Sequence, residues 1–100
     1  MYKTMYKNKT LIAPKLVNVL ITANNCHCGV ALTAINLPPN CIMFGIARQG
    51  QFIIAVDEPT IYCEDYILAV GLSSAITPTL EFILKKTHPV SWSVFRSNLV

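Results

Sequence analysis

Between Leu16 and Ala47 the chain carries no charged side chain. A run of 32 uncharged residues must find cover in a protein core, a partner or a bilayer. A bilayer needs roughly 20 consecutive apolar residues. Here Asn18, Asn24, Asn25, His27, Asn36, Pro38, Pro39 and Asn40 leave apolar stretches of only about half that length. A second uncharged stretch, Tyr66 to Leu80, is 15 residues long and contains Ser73, Ser74 and Pro78. The basic front leads into Asn8, Lys9 and Thr10 rather than into the apolar run of a signal peptide. The expectation is a soluble chain with an unusually apolar surface, buried in an oligomer.

One hundred residues suffice for one domain and not for two. With 53% hydrophobic and 13% charged residues, the chain is neither disordered nor a fibrous repeat. The net charge of +3 is unevenly spread. Lys3, Lys7, Lys9 and Lys15 lie at the front, and Lys85, Lys86 and Arg96 at the back. Between Leu16 and Leu84, Arg48 alone faces Asp57, Glu58, Glu64, Asp65 and Glu81, a net charge of −4. An acidic centre argues against a nucleic-acid groove, while a basic arm suits an anionic lipid surface or an acidic partner.

Residues 1–14 lack apolar periodicity and read as a flexible basic arm. Residues 15–22 read as a strand, 23–28 as a loop, and 29–37 as one to two turns of helix stopped by Pro38 and Pro39. Residues 41–48 and 51–56 form a hairpin around Gln49-Gly50. Ile61 and Tyr62 suggest a short bridge, and 66–71 a fourth strand. Leu80, Ile83 and Leu84 mark an amphipathic helix over 79–86, with Ser73 or Thr77 as N-cap and Pro78 in the first turn. Residues 88–100 read as a C-terminal extension, with Trp92 and Phe95 as its expected anchors. The order β-α-β-β-β-α predicts an α+β fold: a four-stranded, mostly antiparallel sheet with two helices on one face. Strands this apolar need cover on the other face too, from a second copy or a partner domain.

With no export signal, Cys26, Cys28, Cys41 and Cys63 do not suggest a disulfide framework. Cys26, His27 and Cys28 form the one ligand-like cluster. A zinc site needs a second pair of ligands, which Cys41 or Cys63 supplies only if the fold brings them near. Buried or half-buried thiols are the plainer reading. No nucleophile–base pair or carboxylate dyad stands out, so the reading is of a protein that is not an enzyme.

Four further segments occur in a recognisable order: Gly29, Leu32, Ile35 and Leu37 before Pro38; Ile46, Arg48 and Gly50; Glu58, Pro59 and Thr60; and Glu64 and Asp65 before the apolar run Tyr66 to Gly71. This order resembles the C-terminal domain of TrkA-type potassium uptake regulators, the RCK-C domain, over about residues 14–87. Glu64 stands where that family usually has glycine, and Glu resists positive φ.

The resemblance implies a regulatory domain at 15–87, cytoplasmic and at the inner face of the membrane. It would be a homodimer that serves an ion transporter or channel, for potassium or another ion. The chain is then either a piece cut from such a membrane protein or a free subunit. In one group of the family the ligand is cyclic di-AMP, held at the dimer interface. The matching stretch is Ile35, Asn36, Leu37, Pro38, Asn40 and Cys41. Pro38-Pro39-Asn40 stands in place of that group's acidic-x-Arg run, so a local cation would have to be Arg48 or an arm lysine. Gly29, Arg48, Gly50, Thr60 and Asp65 are expected to shape turns. A purely structural dimerisation module with no ligand is the alternative.

Overall fold

The computed structural model describes residues 13–89. Four strands make one sheet: β1 (Lys15–Leu20), β2 (Cys41–Arg48), β3 (Gln51–Ile54) and β4 (Tyr66–Gly71). Their spatial order is β1-β4-β2-β3, and every pairing is antiparallel. One α-helix, α1 (Thr77–Leu84), packs across β1 and β4. Two short 3-10 turns, Leu32–Ala34 and Ala55–Asp57, complete the regular structure. No helix among the described residues is long and apolar enough to cross a membrane.

Alternation along the strands sorts side chains onto two faces. Val17 and Val19 of β1 lie opposite Ala69 and Ile67 of β4, and Ile46 of β2 also faces Ile67. These side chains are buried with Ile21, Leu32, Ile61, Leu80 and Leu84 in a single core. Each large aliphatic side chain so buried contributes about 1.5–3 kcal/mol. In α1, Leu80 and Leu84 point into this core while Phe82 is 74% exposed. Among the described residues nothing covers the opposite face of the sheet. Leu16, Leu20, Ile42, Phe44, Phe52, Ile54 and Tyr66 are each between 42% and 57% exposed there.

The turn at Gln49-Gly50 forms as expected, with φ of 50° and 77° at its two residues. Both positive values match the two-residue turn that suits the twist of a hairpin. Phe44 is an extra residue opposite β4, because pairing passes from Met43↔Ala69 directly to Gly45↔Leu68. This bulge brings Gly45 under the Phe52 ring. A Cβ on Gly45 would lie 2.2 Å from the Ile53 carbonyl oxygen and 2.7 Å from that ring.

The helix expected over 29–37 does not form. The backbone there pairs with residues 59–61 instead. Gly29 N–H donates to the Ile61 carbonyl, Ile61 N–H to Val30, and Leu32 N–H to Pro59. Gly29 at φ 82° and the extended ψ of Ala31 and Ile35 leave only the single turn Leu32–Ala34. The face expected to carry two helices is therefore covered by α1 and by this looped segment.

Smaller differences have similar causes. The bridge expected at Ile61 and Tyr62 is Ala31↔Thr60. β1 ends at Leu20 rather than Thr22, although Ile21 N–H still donates to Asp65. β3 stops at Ile54, where the chain tightens into Ala55–Asp57. Helix α1 starts after Ile76, without a side-chain cap: the Thr77 hydroxyl donates to the Ser73 carbonyl rather than capping the helix. Lys85 and Lys86 lie just past its last turn. The arm expected at 1–14 lies outside the described residues up to residue 12, as do Trp92 and Phe95 of the C-terminal extension.

Candidate functional site

Arg48 closes β2, and its guanidinium reaches the turn that precedes β4. Nε donates to Asp65 Oδ1 at 2.8 Å, and Nη2 to Asp65 Oδ2 at 2.7 Å and to the Thr60 carbonyl at 2.8 Å. The Tyr62 amide also donates to Asp65 Oδ2, at 2.8 Å. The Tyr62 ring lies under the guanidinium, 4.5 Å from centroid to carbon, a cation–π contact. Burial alone would raise the Asp65 carboxyl. The hydrogen bonds and charge of Arg48 and the Tyr62 amide outweigh it and hold the group below its usual range. The hydrogen bond to Asp65 raises Arg48 in turn, against the opposing effect of burial.

Three residues read from the sequence as separate turn formers, Arg48, Thr60 and Asp65, are thus one brace. What the sequence reading missed was the pairing. The signal was present, because Arg48 is the sole base in an acidic block. Gly50 sits at φ 77° in the hairpin turn that follows Arg48, and Gly29 at φ 82° donates its N–H to the Ile61 carbonyl next to Thr60. Arg48, Gln49, Tyr62, Cys63, Glu64 and Asp65 line an open cleft of about 400 Å³. Its cation is already matched by its anion, so the cleft has little net pull on an anionic ligand.

The stretch from Ile35 to Cys41 lies at the other end of β2. Arg48 stands seven residues along the strand from Cys41, about 23 Å away at strand rise, and cannot serve a ligand there. Ile35, Leu37 and Cys41 pack against the core. Pro38 is half-buried, while Asn36, Pro39 and Asn40 face outward. Asn40 takes φ 63°, and its carbonyl accepts from Leu72 N–H at 2.8 Å, which ties the loop to the end of β4. Lys15 and Cys41 both lie opposite Gly71, on either side of β4. Two strand spacings, about 10 Å, separate their backbones. Lys15 is therefore the described cation at the loop's end of the sheet. Burial pushes the Cys41 thiol up, so it is held protonated as a packing group.

The Cys26, His27 and Cys28 cluster is engaged with the C-terminal end of α1. The buried Asn25 side chain donates to the Leu84 carbonyl at 2.9 Å and accepts from His27 N–H at 2.8 Å. His27 Nε2 lies 2.8 Å from the Ile83 carbonyl, an acceptor, so this nitrogen carries the proton. Cys26 N–H donates to the Lys86 carbonyl. The bonds to Ile83 and Leu84 satisfy carbonyls of the last turn of α1, where the intrahelical ladder runs out. The Cys28 thiol donates to the Thr22 carbonyl at 3.2 Å, and burial is the first cause that pushes it up. Among the described residues no group of three His, Cys, Asp or Glu side chains is placed to hold a metal ion.

No family model matches the chain, and no curated protein matches it.

Proposed function

We propose that this chain is a non-catalytic regulatory domain of an ion transporter or channel. It acts as a homodimer that takes a small ligand at the loop from Ile35 to Cys41, in the cytoplasm beside the inner face of the membrane. The observation that carries the reading is the assembly of the motif residues. Gly29 N–H donates to the Ile61 carbonyl, and Arg48 ties Asp65 to Thr60. The segments that resemble the TrkA-type C-terminal domain thus meet in one framework of backbone bonds and a matched ion pair. That is the pattern of a scaffold for binding rather than of a reaction centre. Asn36 and Asn40 offer exposed polar groups at the loop, and Lys15 offers a cation for a phosphate.

Thermal unfolding with cyclic di-AMP, mononucleotides, potassium or sodium tests this reading. A ligand at a hundredfold excess over its Kd stabilises the folded state by about 2.7 kcal/mol. For a domain of this size that raises the midpoint by roughly 10 °C or more. A Lys15→Ala variant should lose most of the rise for a phosphate ligand. No rise with any of these compounds would leave the second reading, a structural dimerisation module without a ligand. The bare apolar face of the sheet favours that reading.

A further inference from the structure

We infer that the bare face of the sheet is where a second copy of this chain docks, face to face across a two-fold axis. This deepens the dimeric reading above and depends on it only for the existence of a dimer. Leu16 lies opposite Val70 and Leu20 opposite Tyr66, while Ala47 lies opposite Phe52 and Gly45 opposite Ile54. This register sets large apolar side chains of all four strands on the face away from α1. Val70 at the centre is only 9% exposed, whereas Leu16 on one edge and Phe52 on the other are 57% and 54% exposed. With Ile42, Phe44 and Tyr66 of the two central strands also 42–45% exposed, the face is apolar from edge to edge.

Three arguments select a second copy as the occupant. The first is area. Seven large side chains about half exposed present roughly 600 Å² of apolar surface, at the upper end of the largest patch a monomer ordinarily leaves and often a functional one. A standard interface takes about 800 Å² from each partner, and about 500 Å² each is the working minimum. The second is charge. The outward positions of the four strands carry no charged residue, and Asn18 is the polar exception. Asp57, Glu58, Glu64, Asp65 and Glu81 all sit in turns or on α1. Two identical acid-bearing molecules can therefore meet on this face without opposing like charges. A lipid surface or an acidic partner would call for a basic rim, which these outward positions do not provide. The third is geometry. Twisted sheets stack face to face at about 10 Å with side chains interleaved, and an isologous contact sets the same apolar face of each copy against the other.

The test is sedimentation equilibrium on the full chain at about 10 µM, in the range where a modest homodimer is populated. The variants are Leu16→Glu and Ile54→Glu, from opposite edges of the face, with Phe82→Glu on the far side as control. Each face substitution enters the interface twice and should weaken the dimer at least about a hundredfold. Far-UV circular dichroism identifies any variant that fails to fold, and the other edge then carries the test. Phe82→Glu should remain dimeric. A wild-type monomer overturns the inference, including one whose face is covered by its own chain ends. Face variants that dimerise as wild type also overturn it, while leaving the regulatory reading intact. Loss of dimer in the face variants without any ligand-induced thermal rise supports this interface and sinks only the ligand part of that reading.

Discussion

Replacing Arg48 with methionine keeps the apolar stem of the side chain and removes all three donated hydrogen bonds. The Asp65 carboxylate, whose side chain is 2% exposed, is then left with the Tyr62 amide as its remaining partner. Breaking a buried ion pair by removing one partner costs about 3–5 kcal/mol. The Arg48 side chain is 28% exposed and water relieves part of the loss, so the cost should fall near 3 kcal/mol at pH 7. Against a total stability of about 5–15 kcal/mol, this is a large share. With a urea slope of about 1 kcal/mol/M, the unfolding midpoint should drop by about 3 M.

The cost should also depend on pH. In the wild type the folded pKa of Asp65 is depressed. Its stabilising contribution is present above the unfolded value of about 3.9 and is lost as pH falls through the folded value. Without Arg48, burial is opposed only by the Tyr62 amide and raises the folded pKa, so protonation relieves the variant as pH falls. The gap between wild type and variant should shrink to about 1 kcal/mol at pH 4, the residual being the lost hydrogen bonds. Adding Asp65→Asn should recover much of the loss at pH 7, because the neutral amide needs no counter-ion. A cost below about 1 kcal/mol at pH 7, or a gap of equal size at pH 4, would refute the brace as described.

Gly45→Ala should destabilise by about 2–3 kcal/mol in urea unfolding, since the new methyl meets the Ile53 carbonyl and the Phe52 ring. Asn25→Ala should cost about 1–3 kcal/mol and speed hydrogen exchange in the last turn of α1, because the buried side chain bonds both the Leu84 carbonyl and the His27 amide. Glu64→Gly should raise stability by about 0.5–1 kcal/mol, because Glu64 sits at φ 74°, where a side chain is strained. Unchanged or lower stability in that variant would count against the turn.

The strands were legible from β-branched, apolar runs bounded by turn residues, while their near-continuous apolarity hid which side chains face the core. Residues 41–56 announced a hairpin through Gln49-Gly50, and both residues adopt the positive φ it needs. The segment 29–37 was misread because Leu32 and Ile35, three apart, suit a helix as well as an irregular packed loop. What decided it was pairing with Pro59 and Ile61, nearly thirty residues away, which no local pattern encodes. The same limit applies to the candidate site. Arg48, Thr60 and Asp65 could be named one by one, but their union depends on how β2 meets the turn before β4. The role of Asn25 and His27 depends on where α1 ends in space, and neighbouring residues carry no trace of that. Glu64 runs the other way: the expectation that a glycine-like conformation is needed there came from the resemblance, and Glu64 adopts it.

The strand order has a kinetic side. β1 pairs with β4 over Lys15↔Gly71 to Leu20↔Tyr66, so its partner is synthesised at least 46 residues later. The β2–β3 hairpin can close as soon as it leaves the ribosome, and β4 then adds beside β2. β1 waits, with Val17, Val19 and Ile21 uncovered, until that three-stranded sheet exists. Long loop closures slow folding and prolong the exposure of sticky strands. The vulnerable interval in this protein's life is therefore its synthesis, and the earliest made of these four strands is the last to be protected.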